Sequence, residues 1–159
     1  SGSVDPFIVD YLGKKRGMTV DETLYYLNKK CGFIGYCGYS DCRDIYRLID
    51  EGDEKARLAM DVFGYQIRKI IGAYAAAMNG LDAIVFTGGI GENSADARND
   101  ICPGLEFLGA EFDAEASHDA PRGQIAEISK PGSKVKMIIV PTNEEIVIAR
   151  DTRDVAFGK

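Results

Sequence analysis

Three short segments of the chain combine residue types that suit phosphate or metal chemistry: residues 83–94, 140–145 and 40–44. The first two each place an apolar run before a turn and a helical pattern. Ligands of α/β proteins bind beyond the carboxyl ends of strands, so we expect chemistry at both of these turns.

The segment 83–94 is a short apolar run followed by three glycines. We expect Gly89 to lie where a Cβ would obstruct either the backbone dihedral angles or an approaching nucleotide. A helix predicted to begin near Asn93 would offer free N–H groups to a phosphate. The segment is neither a P-loop nor a dinucleotide-binding motif, since Ser94 stands three residues after Gly91. A tight connection without a ligand is the alternative interpretation.

The segment 140–145 predicts the start of the last helix. Thr142 and Glu145 have the spacing of a capping box, in which hydroxyl and carboxylate each bind a backbone N–H group. Glu144 is not needed for such a cap. It is therefore the candidate ligand for Mg²⁺, directly or through water.

The segment 40–44 places a guanidinium, that of Arg43, between the carboxylates of Asp41 and Asp44. It follows residues 31–41, a stretch with three glycines that predicts an irregular connection and a candidate ligand wall. Two interpretations stay open: a ligand contact, or a helix N-cap with surface ion pairs.

Hydrophobic periodicity and turn residues predict the elements that must position these segments. Thr19 and Glu22 form a capping box, and an apolar stripe from Phe63 to Met78 predicts the longest helix, ended by Asn79 and Gly80. Helices are predicted at about residues 6–12, 19–30, 53–79 and from 142 onward, and strands at 83–86, 125–128 and 135–140. The last two strands flank a turn-rich stretch and predict a hairpin.

Composition limits the function classes. The chain has 159 residues, 45% of them hydrophobic, which is enough for one domain with a sizeable core. A net charge of −6 gives no electrostatic footprint for nucleic acid. No apolar run approaches a membrane span and no signal peptide is visible, so we expect a cytoplasmic protein. The four cysteines form no C-x-x-C pair, which favours free thiols over a zinc site.

The segments 86–94, 141–145 and 28–32 together resemble the acetate kinases in order and approximate spacing, and residues 2–6, 71–74 and 79–83 extend the match. The resemblance implies an α/β, actin-like ATPase fold (acetate and sugar kinase, heat-shock and actin type). Residues 1–159 would be part of the C-terminal nucleotide-binding lobe of a two-domain kinase, helix-rich with a few core strands.

The resemblance also implies roles for individual residues. Nucleotide contacts would come from Asp41, Cys42, Arg43, Gly89, Ile90, Gly91, Glu92 and Asn93. Glu144 matches the magnesium-associated glutamate, and no catalytic residue falls within the chain. Two departures affect the nucleotide wall: the adjacency of Ser40 and Asp41, which would displace Arg43, and the cysteines at 31 and 37, where small hydroxyl residues are common.

In such an enzyme an acetate oxygen attacks the γ-phosphorus of ATP in line, giving acetyl phosphate and ADP with Mg²⁺ as cofactor. The family's catalytic arginine precedes the Gly-Ser-x-Asp-Pro motif, and the chain starts at Ser1. We therefore expect no activity without the N-terminal domain, and a homodimer for the intact enzyme. The alternatives are a propionate or other short-chain carboxylate kinase and a non-catalytic, actin-like nucleotide switch.

Overall fold

The structure is a computed structural model that describes residues 2–158, apart from the side chain of Glu144. The chain divides into two compact units, Ser1–Gln66 and Ile67–Lys159. In chain order the elements are α1 (Phe7–Arg16), α2 (Val20–Lys29), α3 (Phe33–Cys37), α4 (Cys42–Asp50), α5 (Glu54–Ala77), β1 (Ala83–Phe86), α6 (Gly88–Asn93), α7 (Ala95–Ile101), a 3-10 turn (Glu106–Leu108), α8 (Ala114–His118), β2 (Ala126–Glu127), β3 (Lys136–Ile139) and α9 (Glu144–Phe157). Within the described residues, no helix combines the length and apolar character that a membrane crossing requires.

The first unit begins with two helices, and the second of them has the predicted capping box. Thr19 Oγ1 accepts a hydrogen bond from the backbone N–H of Glu22 (3.2 Å), and Glu22 Oε2 accepts one from the N–H of Thr19 (2.8 Å). These bonds hold the pKa of Glu22 below its ordinary value, led by the backbone bond from Thr19. Helix α1 extends beyond its predicted end to Arg16, where Gly17 adopts a left-handed conformation (φ 68°).

Residues 31–41 are less irregular than predicted, because residues 33–37 form helix α3. The glycines on either side, Gly32 and Gly38, have φ of 69° and 85°, so the prediction of unusual dihedral angles is confirmed at both. These two glycines bound the short helix. The prediction of a continuous loop was wrong, because one helical turn fits between them.

The core of the first unit forms around Ile45, Ala56 and Met60, all 0% exposed. Partly buried side chains pack against this core: Phe33, Cys37, Cys42, Tyr46, Leu48, Ile49 and Phe63. Helices α3, α4 and α5 therefore meet through apolar contacts. Two of the four free cysteines take part in this packing.

Helix α5 confirms the longest predicted helix, and Asn79 (φ 59°) and Gly80 (φ 121°) follow its end as expected. Its apolar stripe is only partly buried. Tyr74 and Met78 are 64% and 63% exposed, whereas Ala75 is 4% exposed. The small side chain of Ala75 occupies the buried side of this part of the helix, where it allows close packing.

The second unit contains a three-stranded sheet in the order β1-β3-β2. Strands β1 and β3 are parallel, and β2 and β3 form the predicted antiparallel hairpin. Strand β1 is buried on one face only, because Ile84 and Phe86 are buried while Val85 is 53% exposed. The predicted strand at 83–86 is confirmed.

Candidate functional site

The carboxyl ends of β1 and β3 lie at one edge of the sheet, because the strands are parallel and Phe86 pairs with Ile139. The N–H of Val140 donates to the carbonyl of Phe86 (2.9 Å), which extends the pairing one residue further. Beyond this point the segment after β1 enters α6, and the segment after β3 enters α9. The structure thus brings two of the three segments singled out in the sequence to the same edge.

A pair of threonine hydroxyls joins these strand ends. Thr142 Oγ1 accepts a hydrogen bond from the backbone N–H of Gly88 (2.9 Å) and lies 2.6 Å from Thr87 Oγ1. The predicted capping box at 142–145 was therefore wrong. Asn143 caps α9 instead, with its Oδ1 accepting from the N–H of Ile146 (3.1 Å), and Glu145 is exposed.

The glycine-rich segment is itself helix α6, and the next helix starts later than predicted. Ser94 is the N-cap of α7, with its Oγ accepting from the N–H of Ala97 (3.1 Å). Asn93 therefore ends α6, and its side-chain amide donates to the carbonyl of Gly89 (3.1 Å). A helix therefore does begin close to Asn93, at Ala95, and Ser94 satisfies the N–H of Ala97. The expectation that other N–H groups of its first turn bind a phosphate stays a prediction.

The glycines of α6 differ in what they require. Gly88 has a positive φ of 71°, and a Cβ on Gly91 would lie 3.3 Å from the carbonyl carbon of Phe86. A Cβ on Gly89 would meet open space, and its φ lies outside the left-handed region. The prediction that the dihedral angles of Gly89 require a glycine was wrong. Its other reason, room for a nucleotide, stays a prediction.

The remaining predicted contacts of this segment are partly accessible. Ile90 is 37% exposed, while Gly91 and Glu92 are half-buried. They lie with Gly89 and Asn93 on one short helix at the sheet edge. A ligand at this edge could therefore contact several residues of one short backbone segment.

Arg98 on α7 is a structural residue of this site that local sequence patterns did not single out. It is 3% exposed, and its guanidinium donates to the carbonyl of Gly91 (2.8 Å) and to the hydroxyl and carbonyl of Ser117 (2.8 Å each). Burial lowers its pKa from the ordinary value. Its sequence neighbours, among them Asp96 and Asp100, are typical of an exposed helix, and its partner Ser117 lies 19 residues away, so no local pattern identifies the contact.

The third predicted segment lies in the other unit. Asp41 is the N-cap of α4 and accepts from the backbone N–H of Arg43 (2.9 Å) and from its guanidinium (3.0 and 2.6 Å). The side-chain bonds lead in lowering the pKa of Asp41 to about 2, and they raise that of Arg43. The helix-cap interpretation is thus confirmed, and the nucleotide contact stays a prediction.

Cys42, another predicted nucleotide contact, packs against the core of the first unit. Burial leads in raising the pKa of its thiol, with the Asp41 charge adding to it. Its side chain is therefore half-buried and neutral. Its contact with a nucleotide stays a prediction.

The magnesium prediction falls on Glu144, whose side chain lies outside the described residues. Its backbone begins α9, next to Asn143 and two residues after Thr142. Among described residues, no group of three or more His, Cys, Asp or Glu side chains could hold a metal ion. Mg²⁺ usually takes one or two protein carboxylates together with substrate phosphates, so one glutamate at this position suits that ion.

Residues 1–150 match the model of the acetokinase family. An acetate kinase of Carboxydothermus hydrogenoformans is 51% identical over 159 residues, which are 100% of this chain and 39% of that protein. The chain thus spans about two fifths of the length of the curated relatives it matches.

Solved structures show the same likeness. The acetate kinase of Porphyromonas gingivalis superimposes with a TM-score of 0.87 at 44% identity, covering 98% of this chain and 39% of that one. A propionate kinase of Francisella tularensis gives a TM-score of 0.85 at 36% identity, covering 95% and 38%.

The helix-rich architecture with its small mixed sheet is a lobe of the actin-like ATPase type, as the likeness to these carboxylate kinases shows. More particularly, the chain belongs to the acetokinase family.

Proposed function

We propose that the full-length protein containing this chain reversibly transfers the γ-phosphoryl group of ATP to acetate. The products are acetyl phosphate and ADP. The proposal is supported by membership of the acetokinase family and by the names of the similar proteins, which are acetate kinases. Residues 1–159 would be part of the C-terminal, nucleotide-binding domain of a two-domain enzyme.

The observation that carries the proposal is the meeting of two segments at the carboxyl edge of β1 and β3. In the proposed complex, residues 89–93 of α6 contact the nucleotide, and the segment after β3 supplies Glu144. In the other unit, Asp41, Cys42 and Arg43 provide a second nucleotide contact, with the guanidinium of Arg43 as its positive charge.

In the transfer, a carboxylate oxygen of acetate forms a bond to the γ-phosphorus while the bond to the β–γ bridging oxygen breaks, so ADP leaves. Such transfers depend on positioning and on neutralising charge rather than on covalent chemistry by the protein. Bound Mg²⁺ would neutralise charge on the phosphates, and Glu144 would hold it. The groups that activate acetate lie outside residues 1–159 in this proposal.

The test is to assay the full-length protein with ATP, Mg²⁺ and acetate, propionate or butyrate, and to measure acyl phosphate formation. We expect acetate to give the highest kcat/KM. Preference for propionate would favour the second candidate, which the 36% identical propionate kinase supports. ATP binding without transfer to any acid would overturn the proposal in favour of a nucleotide switch.

The metal role of Glu144 has its own test in the same protein. Glu144→Gln removes a charge from the metal's surroundings, so turnover should fall at least about tenfold and the Mg²⁺ requirement should rise. Glu145→Gln, on the neighbouring exposed residue, is the matched control and should change neither. A Mg²⁺ dependence unaffected by Glu144→Gln would contradict the assignment. A homodimer and a cytoplasmic location stay predictions.

A further inference from the structure

The hydroxyl of Thr142 is the one described side-chain contact that joins the start of α6 to the segment that begins α9. It accepts from Gly88 N across 54 residues of sequence and also pairs with Thr87 Oγ1. Asn143 caps α9, so Thr142 is not used for capping. Its hydroxyl therefore acts between the two strand ends rather than within its own helix.

Two polar contacts fix the backbone of α6 along its length. Thr142 holds the N–H of Gly88, the first residue of the helix, while Arg98 holds the carbonyl of Gly91 three residues later. Arg98 is in turn bonded to Ser117, so this second contact is tied to α8. Only the contact at Thr142 links α6 to the chain that leads into α9, within the part that the structure describes.

We propose that Thr142 is a positioning residue that couples the nucleotide segment 89–93 to the segment carrying Glu144. The inference rests on the proposed function, since it assumes that these segments bind nucleotide and metal. Thr142 acts through Gly88 N rather than by touching the nucleotide. Beyond the last backbone pairing of the strands, at Val140 and Phe86, its hydroxyl holds the first residue of α6 against the segment that leads into α9, so that phosphates on one segment would meet the metal ligand on the other.

The experiment compares four forms of the full-length protein: wild type, Thr142→Val, Thr142→Ser and Thr152→Val. Valine keeps the shape of threonine but removes the hydroxyl, and serine keeps the hydroxyl but removes the methyl group. Thr152 is exposed on α9, the helix that follows Thr142, so its substitution is a matched control for the same chemical change. Each form is measured for the KM of ATP, the KM of acetate and the Mg²⁺ concentration for half-maximal rate.

Losing one hydrogen bond of ordinary strength should raise the KM of ATP and the Mg²⁺ requirement about five- to tenfold in Thr142→Val, with the KM of acetate within about twofold. Thr142→Ser should restore both values to within about twofold of wild type, and Thr152→Val should match wild type. Without any ligand, the backbone amides of residues 88–93 should exchange faster in Thr142→Val than in the other three forms.

Distinct results separate the possible failures. Equal values for Thr142→Val and wild type would overturn the inference while leaving the proposed function intact. Equal losses in the valine and serine variants would also overturn it, because keeping the hydroxyl would then not be enough to preserve either value. If all three measured constants rose together, in step with a fall in the thermal unfolding temperature, Thr142 would have a purely structural role and the inference would be overturned. Failure of wild type to bind ATP would overturn both proposals.

Discussion

The glycines of α6 serve different physical purposes. Gly88 needs its positive φ of 71°, which costs other residues energy because a Cβ would approach the carbonyl oxygen. Gly91 needs the absence of a Cβ because the backbone of Phe86 lies 3.3 Å from where that atom would be. Gly89 has neither requirement within the described structure, so its predicted purpose, room for a nucleotide, stays a prediction.

The first prediction separates these purposes in the full-length protein. Gly88→Ala should lower stability by about 1–2 kcal/mol, because alanine is strained in the left-handed region. Gly89→Ala should be neutral or slightly stabilising, because alanine favours a helix. Urea denaturation of both variants measures the difference, and the KM of ATP should rise in Gly89→Ala. Equal destabilisation by both substitutions would contradict the backbone assignment.

The second prediction concerns the buried guanidinium of Arg98. Arg98→Met leaves the carbonyls of Gly91 and Ser117 without their donor, so stability should fall by about 2 kcal/mol or more. Arg122→Met, at an exposed position, is the control and should stay within about 0.5 kcal/mol of wild type. Thermal unfolding of the full-length protein measures both. Similar unfolding temperatures for the two variants would show that the Arg98 bonds add little.

At the scale of elements, the start of α4 has a titratable cap. Asp41 accepts hydrogen bonds from the side chain and backbone of Arg43, and these lower its pKa from 3.8 to about 2. A lowered folded-state pKa means that the ionised carboxylate stabilises the fold above the unfolded-state pKa. That contribution is lost as the pH falls toward the folded-state value.

The third prediction follows from the lowered pKa of Asp41. Asn is a good N-cap but carries no charge, so Asp41→Asn removes the ionic part of the interaction while keeping the cap. The stability advantage of wild type over Asp41→Asn should be constant from pH 8 to about 5 and shrink between about pH 4 and 2. Denaturation midpoints across this range measure it. An advantage that grows as the pH falls would contradict the assigned bonds.

Elements with local signals were predictable from the sequence. The capping box at Thr19 and Glu22, the long α5 and the β2–β3 hairpin all depend on neighbouring residues, and all are confirmed. The similar pattern at Thr142 was misleading because a partner 54 residues away uses the same hydroxyl. The capping-box spacing alone cannot show whether the threonine hydroxyl binds an N–H group of its own helix or one far away in the sequence.

The candidate site was likewise predictable only where local sequence signals exist. Parallel strand ends and glycine-rich turns predict where a ligand binds, and the meeting of residues 86–88 with 140–142 agrees. Its internal geometry was not predictable. The helical state of α6 and its contact with Arg98 depend on packing against α7, which composition and spacing do not describe. Nucleotide and metal contacts remain proposals.

For the whole molecule, the proposed function comes from the relation between this chain and its relatives. The chain spans about 39% of the length of the acetate kinases it resembles. Each of its two units contains one proposed nucleotide segment, residues 41–43 in the first and 89–93 in the second. The claim to be tested is that each of these segments contacts nucleotide in the full-length protein.

Hydrogen exchange of the full-length protein, with and without ATP and Mg²⁺, tests this claim most directly. Exchange should slow in peptides covering residues 41–43 and 88–93 when ATP and Mg²⁺ are added, because bound nucleotide would restrict opening and shield backbone N–H groups. Acetate alone, at the same ionic strength, is the control and should leave both segments unchanged. If ATP bound but exchange slowed in neither segment, both proposed nucleotide contacts would be contradicted.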